Sequence, residues 1–288
     1  MDKQILKPEM CPGRGPFVTT ETAQLYHLKN GEILKLFSPL YLNRLNSIGI
    51  SMEEKILDAD KSTVASEIIC PSAAYYTDGG SFIGYSQPTA NGVNFNQYTD
   101  GLSHSAQTDL YRYADIHSKI ESPVKKSSNI VFPDLCTCDN IFIDDNQDIQ
   151  FIDYDGLQVG KHKTISMSTS LGDPRQYLGS KYVKDYYLTK ELDKKSLTVL
   201  YFLDTFHADL NKIGCVDPAT GKPVTLDDFF QCIQLDDWDV MDKVWKLFQN
   251  NKENEYLGED VFRIADNYQL HTIPVTNRDC LKVLTKKR

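Results

Sequence analysis

The chain lacks any apolar run near the roughly 18–20 residues needed to cross a bilayer. Its opening, Met1 to Lys7, also lacks the long apolar stretch of a secretory signal. Both absences argue against a membrane protein and point to a cytoplasmic one. Positive charge is scarce: 31 Lys and Arg stand against 40 Asp and Glu, a formal charge of −9. An electrostatic nucleic-acid binder needs clustered cations, so that class is excluded. The short basic runs (Lys125-Lys126, Lys161-His162-Lys163, Lys286-Lys287-Arg288) read as solvated surface. The seven cysteines are an odd number and scattered, which fits reduced thiols rather than a disulfide framework. Cys136 and Cys138 form the one close pair, without the second pair or nearby histidine that a zinc site requires. Repeats, low-complexity tracts and long linkers are missing too. The remainder is an ordinary globular composition over 288 residues, enough for one large domain or two lobes.

Hydrophobic patterning divides the chain near residue 88, into 1–88 and 89–288. The first part reads mostly as strand. Thr22 to Leu28 and Gly31 to Phe37 flank Lys29-Asn30-Gly31, a turn signal between strands. Ser51 to Asp60 reads as a helix, because Ser51 followed by Glu54 is a capping-box pattern. Strands are expected again at Glu67 to Cys70 and Ser81 to Tyr85. From about Thr108 the helical period takes over, with Leu110, Tyr113, Ala114 and His117 at i, i+3, i+4 and i+7. Helices are expected at Ser196 to Phe206, Leu226 to Ile233 and Asp237 to Phe248. One hairpin interrupts this part: Asn140 to Ile143, a turn through Asp144 to Asp148, then Ile149 to Ile152. The fold class expected is α+β, a small β-rich lobe with one helix followed by a larger helical lobe.

The hairpin carries the most chemistry. Its first strand opens after Asp139-Asn140 and its second closes at Asp153-Tyr154-Asp155-Gly156. Antiparallel pairing brings the start of one strand beside the end of the other, so Asn140 and Asp153 are expected to be neighbours. Two hard oxygen donors at one edge suit Mg²⁺, which completes its shell with water and phosphate. Asn and Asp also commonly bound strands for purely structural reasons.

The segment Asp134-Leu135-Cys136-Thr137-Cys138-Asp139-Asn140, followed by Phe151-Ile152-Asp153-Tyr154-Asp155-Gly156, resembles the catalytic and metal-binding loops of the protein-kinase-like superfamily, H-R-D-L-x-x-x-N and D-F-G. Upstream, Gly13-Arg14-Gly15-Pro16-Phe17 looks like the start of that family's glycine-rich loop. Glu32 to Phe37 looks like the strand carrying its nucleotide-binding lysine. Glu54 lies 19 residues after Lys35, where kinases place that lysine's acidic partner, although Glu53 sits beside it. Downstream, Thr189 to Leu197 resembles the start of the large helix whose aspartate braces the catalytic loop. The resemblance implies a two-lobed protein-kinase-like fold and an ATP- and Mg²⁺-dependent phosphotransferase. In it, Gly13, Gly15, Lys35 and Glu54 serve ATP, Asn140 and Asp153 hold Mg²⁺, and Asp134 accepts the proton of the attacking hydroxyl. The acceptor expected is a protein Ser or Thr. A small-molecule kinase of the aminoglycoside or choline type and a non-catalytic pseudokinase scaffold are the competing readings.

The sequence departs from the pattern in four places. Phe132-Pro133-Asp134 replaces His-Arg-Asp, which removes the usual docking arginine for an activation-loop phosphate. Asp134 and Asn140 are six residues apart, where the family motif has five, so Asp139 competes with Asp134 for its role. Asp155 takes the glycine position of D-F-G; it reads as a solvent-facing turn residue, with a second carboxylate near the metal as the alternative. Val18 replaces a third glycine, and Gly172 to Tyr177 is the nearest counterpart of the motif that closes the activation segment. His104, His117, His162, His207 and His271 show no metal spacing.

Overall fold

A computed structural model describes residues 1–7, 10, 15–100, 107–135, 139–164, 183–184, 187–190, 192–193, 196–197 and 200, a few of them by backbone alone. These residues form a mixed α+β fold built on a six-stranded sheet. The helices expected at 226–233 and 237–248, and 196–206 beyond residue 200, lie outside the described residues.

The sheet comprises β1 (Asp2–Ile5), β2 (Val18–Thr19), β3 (Ala23–His27), β4 (Ile33–Phe37), β5 (Ala73–Tyr76) and β6 (Phe82–Gln87), in the order β1-β5-β6-β4-β3-β2. The β3–β4 hairpin turns where Lys29-Asn30-Gly31 predicts, and Gly31 takes the left-handed φ of +86° that such a turn demands. Pairing of Lys35 with Tyr85 across β4 and β6 decides the chemistry below. Residues directly opposite each other in an antiparallel pair project from the same face.

Three expectations for this part are corrected. The strand expected at 67–70 is instead β5 at Ala73–Tyr76. Residues 67–69 run beside the strand at 149–151, exchanging backbone bonds with Phe151, and Pro71 separates them from the sheet. All four β5 residues are buried, so it shows no alternation to read. Strand β1, which pairs parallel with β5, was not expected because its short polar sequence carries little strand signal. The single helix is two: α1 (Pro39–Ser47), opened by a proline in its first turn, and α2 (Met52–Leu57). Ser51 caps α2 by accepting from the Glu54 N–H at 3.2 Å.

Beyond β6 come β7 (Val93–Asn94), α3 (Phe95–Asp100) and the long α4 (Gln107–Lys126). They are followed by β8 (Ile130–Val131), β9 (Ile141–Ile143), β10 (Ile149–Phe151) and β11 (Gln158–Val159). The hairpin β9–β10 pairs Ile141 with Phe151 and Ile143 with Ile149, and β7 lies along its other side. Strand β11 pairs with β8 and so returns the chain to the entrance of the 132–140 loop. One apolar core runs through both parts, joining Phe37, Ile56 and Tyr85 with Ile116, Phe132, Phe151 and Leu197. Among the described residues no helix is long and apolar enough to cross a membrane.

Candidate functional site

The register of the β9–β10 hairpin sets one side of the site. Ile152 donates its N–H to the Asn140 carbonyl at 2.9 Å, which continues the ladder one step past Phe151 and sets Asp153 just beyond it. Asp153 then leaves the strand with φ 66° and ψ 48°, left-handed values uncommon for a residue with a side chain. A short 3₁₀ turn, Tyr154–Gly156, follows. Asp134, Asn140, Ile152, Asp153 and Gly156 line a single recess. A Cβ on Gly156 would stand 2.5 Å from Asp153 Oδ2 and 4.0 Å from Asp134 Oδ2. Glycine therefore leaves room for two carboxylates to face the same space.

The sheet supplies a cation. Lys35 projects from β4 and donates to Asp153 Oδ1, and to Asp155 Oδ1 at 2.8 Å. Its strand partner Tyr85 projects from the same face and donates to the same Asp155 oxygen at 2.6 Å. Burial alone would push the Lys35 ammonium down, but the two carboxylates outweigh it and hold it well above the usual lysine range. Burial likewise acts to raise Asp155, and the charges and hydrogen bonds of Lys35, Tyr85 and Lys55 overcome it, keeping Asp155 ionised below the usual range. Asp153 is raised by burial and by the negative Asp155 beside it. Exposure separates their tasks: the Asp153 side chain is 27% accessible and that of Asp155 only 5%. Asp153 faces the recess, while Asp155 is sealed behind it.

Four of the residues chosen from sequence thus meet here: Lys35 and Asp153 in direct contact, with Asp134 and Asn140 on the recess. Asp139, the competitor of Asp134, is turned away, accepting from the Asn96 side chain at 2.9 Å and, through its carbonyl, from Asn94 at 2.7 Å. Glu54 does not meet Lys35. It is exposed on the outer side of α2, and its neighbour Glu53 accepts from the Tyr76 hydroxyl at 2.9 Å. The physical reason is helical phase: Met52, Lys55 and Ile56 form the buried stripe of α2 and leave Glu54 outside it. Asp155, expected to face solvent, is the buried acid beside Lys35 instead. Gly15 is exposed and leads into β2, whereas Gly13, Cys136 and Cys138 lie outside the described residues.

The loop before the recess is braced from below. Asp193 is fully buried and accepts the Phe132 N–H on Oδ1 at 2.7 Å, two residues ahead of Asp134. Its second oxygen accepts from Lys190 at 2.5 Å, and Lys190 also donates to the Ile130 carbonyl at 2.7 Å. Burial dominates its titration and pushes the Asp193 carboxyl up to about 6, against the pull of Lys190 and the backbone. Asp193 thus ties down the backbone just ahead of Asp134.

Lys55 and Tyr85 escaped the sequence reading, and Asp155 entered it only as a turn residue with a second carboxylate near the metal as the alternative. Lys55 had a signal, a charge at i+3 on the apolar stripe begun by Met52. Asp155 had one as well, a second carboxylate two positions after Asp153 at a strand end. Tyr85 had none, because its role depends on the β4–β6 register. Asn140 and the outer edge of Asp153 offer hard oxygens of the kind Mg²⁺ takes. Neither a protein-family model nor a curated protein matches the chain, so the function rests on this geometry.

Proposed function

We propose that the chain is an ATP- and Mg²⁺-dependent phosphotransferase with a two-lobed protein-kinase-like fold, divided near residue 88, transferring the γ-phosphate to a protein Ser or Thr hydroxyl. One observation carries the reading: a half-buried strand lysine, Lys35, is joined to an aspartate 118 residues away that faces a recess shared with Asp134 and Asn140. Phosphoryl transfer asks a protein mainly for positioning and fixed charge, and these residues supply both. Lys35 contributes a permanent positive charge beside the place where phosphates would lie. Asp134 is the acceptor for the proton of the attacking hydroxyl. Asn140 and the outer oxygen of Asp153 would hold Mg²⁺, which when bound supplies charge that neutralises the phosphoryl oxygens. Asp193 keeps the Asp134 loop in place through Phe132, and Asp155 with Tyr85 keeps Lys35 aimed at Asp153.

Thermal melts with ATP, with and without Mg²⁺, test the nucleotide site in wild type and Asp153→Asn. At about 100-fold over its dissociation constant a ligand stabilises by roughly 2.7 kcal/mol, a visible rise in midpoint. The rise is expected only with Mg²⁺ and is lost in the variant, whose phosphate transfer falls by on the order of 10²–10³-fold. No rise in wild type at millimolar ATP would overturn the proposal. Transfer to small cationic alcohols but not to protein hydroxyls would reassign the acceptor.

A further inference from the structure

Lysine is almost never fully buried without a partner, yet Lys55 is 1% exposed. Among the described residues, no carboxylate forms an ion pair with its ammonium. It donates to two backbone carbonyls of the turn behind the recess, Asp155 at 2.6 Å and Leu157. Taking an ammonium out of water costs several kcal/mol, so those bonds must compensate a large penalty. With both carbonyls drawn toward α2, the Asp155 side chain is presented on the other side of the turn, to Lys35 and Tyr85. The four charges Lys35, Lys55, Asp153 and Asp155 balance. One helical turn along α2, the C-terminal Asp58 accepts from Lys161 at 2.9 Å and from His162 at 3.0 Å. The helix therefore holds the chain from 155 to 162 at two points, while neither Glu53 nor Glu54 touches Lys35.

We infer that Lys55 is a positioning residue: it fixes the turn at 155–157 through backbone carbonyls, and so sets where Asp155 and Asp153 stand relative to Lys35. In this arrangement α2 governs the strand lysine through the turn, and the acid that holds Lys35 comes from the turn itself. The effect of Lys55 on turnover rests on the phosphotransferase reading; its grip on the turn does not.

The test uses the full chain with Lys55→Met, which removes the donors, and Lys55→Arg, which keeps them. If the methionine variant does not fold, Lys55→Gln takes its place. Without nucleotide, amide exchange at Gly156 and Leu157 is expected to quicken by about tenfold or more in Lys55→Met while β5 and β6 keep their protection. Under turnover, kcat is expected to fall about tenfold or more with the KM for ATP changed by less than about threefold, and Lys55→Arg to recover most of the loss. Equal loss of protection in the turn and the sheet would make Lys55 an ordinary core residue and overturn the inference, as would an unchanged turn or an unchanged kcat. If wild type neither binds MgATP nor transfers phosphate, the proposed function falls and the exchange contrast alone decides the role of Lys55.

Discussion

The site is assembled from two regions that are held in different ways. On the sheet side, Lys35 and Tyr85 sit in β4 and β6, where every residue is placed by a backbone ladder shared with neighbouring strands. On the loop side, the 132–134 and 153–157 segments leave the ladder, and side chains from distant elements hold them: Lys55, Lys35 and Tyr85 on one, Asp193 on the other. A ladder distributes its hold over many equivalent bonds, so one side chain changes it little. A loop held by a few buried charges concentrates its hold, and it inherits their cost of desolvation and their response to pH. Chemistry that needs groups in unusual backbone conformations, such as Asp153 at φ 66°, is available on the second side only.

The largest effect that would break this contrast is expected from Asp155→Ala. The substitution leaves Lys35 with Asp153 alone and deprives Lys55 of its nearest negative charge. Removing one partner from a buried ion pair costs about 3–5 kcal/mol because the remaining charge is stranded. Chemical denaturation should record a loss of that size. By comparison, a substitution at an exposed β3 position such as Gln24 should stay within about 0.5 kcal/mol. A loss at Asp155 no larger than at Gln24 would mean that the loop side is held by its own backbone after all.

The same contrast governs what could be read before the structure. The β3–β4 hairpin and the β9–β10 hairpin were legible because turn chemistry and alternation are local properties of consecutive residues. Asn140 and Asp153 were legible for that reason, since each stands at a strand end, whereas Lys35 was singled out only by the resemblance of its strand. Glu54 was misread because spacing along the chain from Lys35 says nothing of helical phase, and phase turned that residue outward. The buried stripe Met52, Lys55, Ile56 held the correction: a charge among apolar positions calls for a buried partner. The identity of that partner, two carbonyls 100 and 102 residues away, has no local trace. Tyr85 is hidden in the same way, because only the pairing of β4 with β6 puts it beside Lys35. Strand β5 was displaced from the expected 67–70 because a strand buried on both faces loses the alternation that marks one.

The pH response sharpens the comparison next. Asp193 has its carboxyl raised to about 6 in the folded chain from an ordinary value of 3.8. Between those values the folded state binds more proton than the unfolded state, so this group's contribution is fully present below about pH 4 and is lost as pH rises through 6. A rise of that size is worth about 3 kcal/mol. Asp193→Asn cannot titrate. Wild type should therefore gain about 2 kcal/mol relative to the variant on going from pH 7 to pH 4, measured by urea unfolding at each pH. A difference that stays flat across that range, or grows toward pH 7, would show that Lys190 and the Phe132 N–H outweigh burial at this brace.

The smallest effect is expected where the two regions touch. Tyr85 belongs to the ladder by its backbone and to the loop by its hydroxyl, so Tyr85→Phe removes one without the other. A hydrogen bond to a charged group contributes about 1.5–3 kcal/mol, and the lower end is expected because Lys35 still holds the same Asp155 oxygen. The ring remains in the core against Phe37, so the sheet keeps its packing. Loss of the hydroxyl should leave amide protection in β4 and β6 unchanged and raise exchange in the 154–157 turn, since only the loop side loses a restraint. If protection falls equally on both sides, the hydroxyl is part of the sheet's own stability, and the distinction between ladder-held and side-chain-held regions fails at a residue that belongs to both.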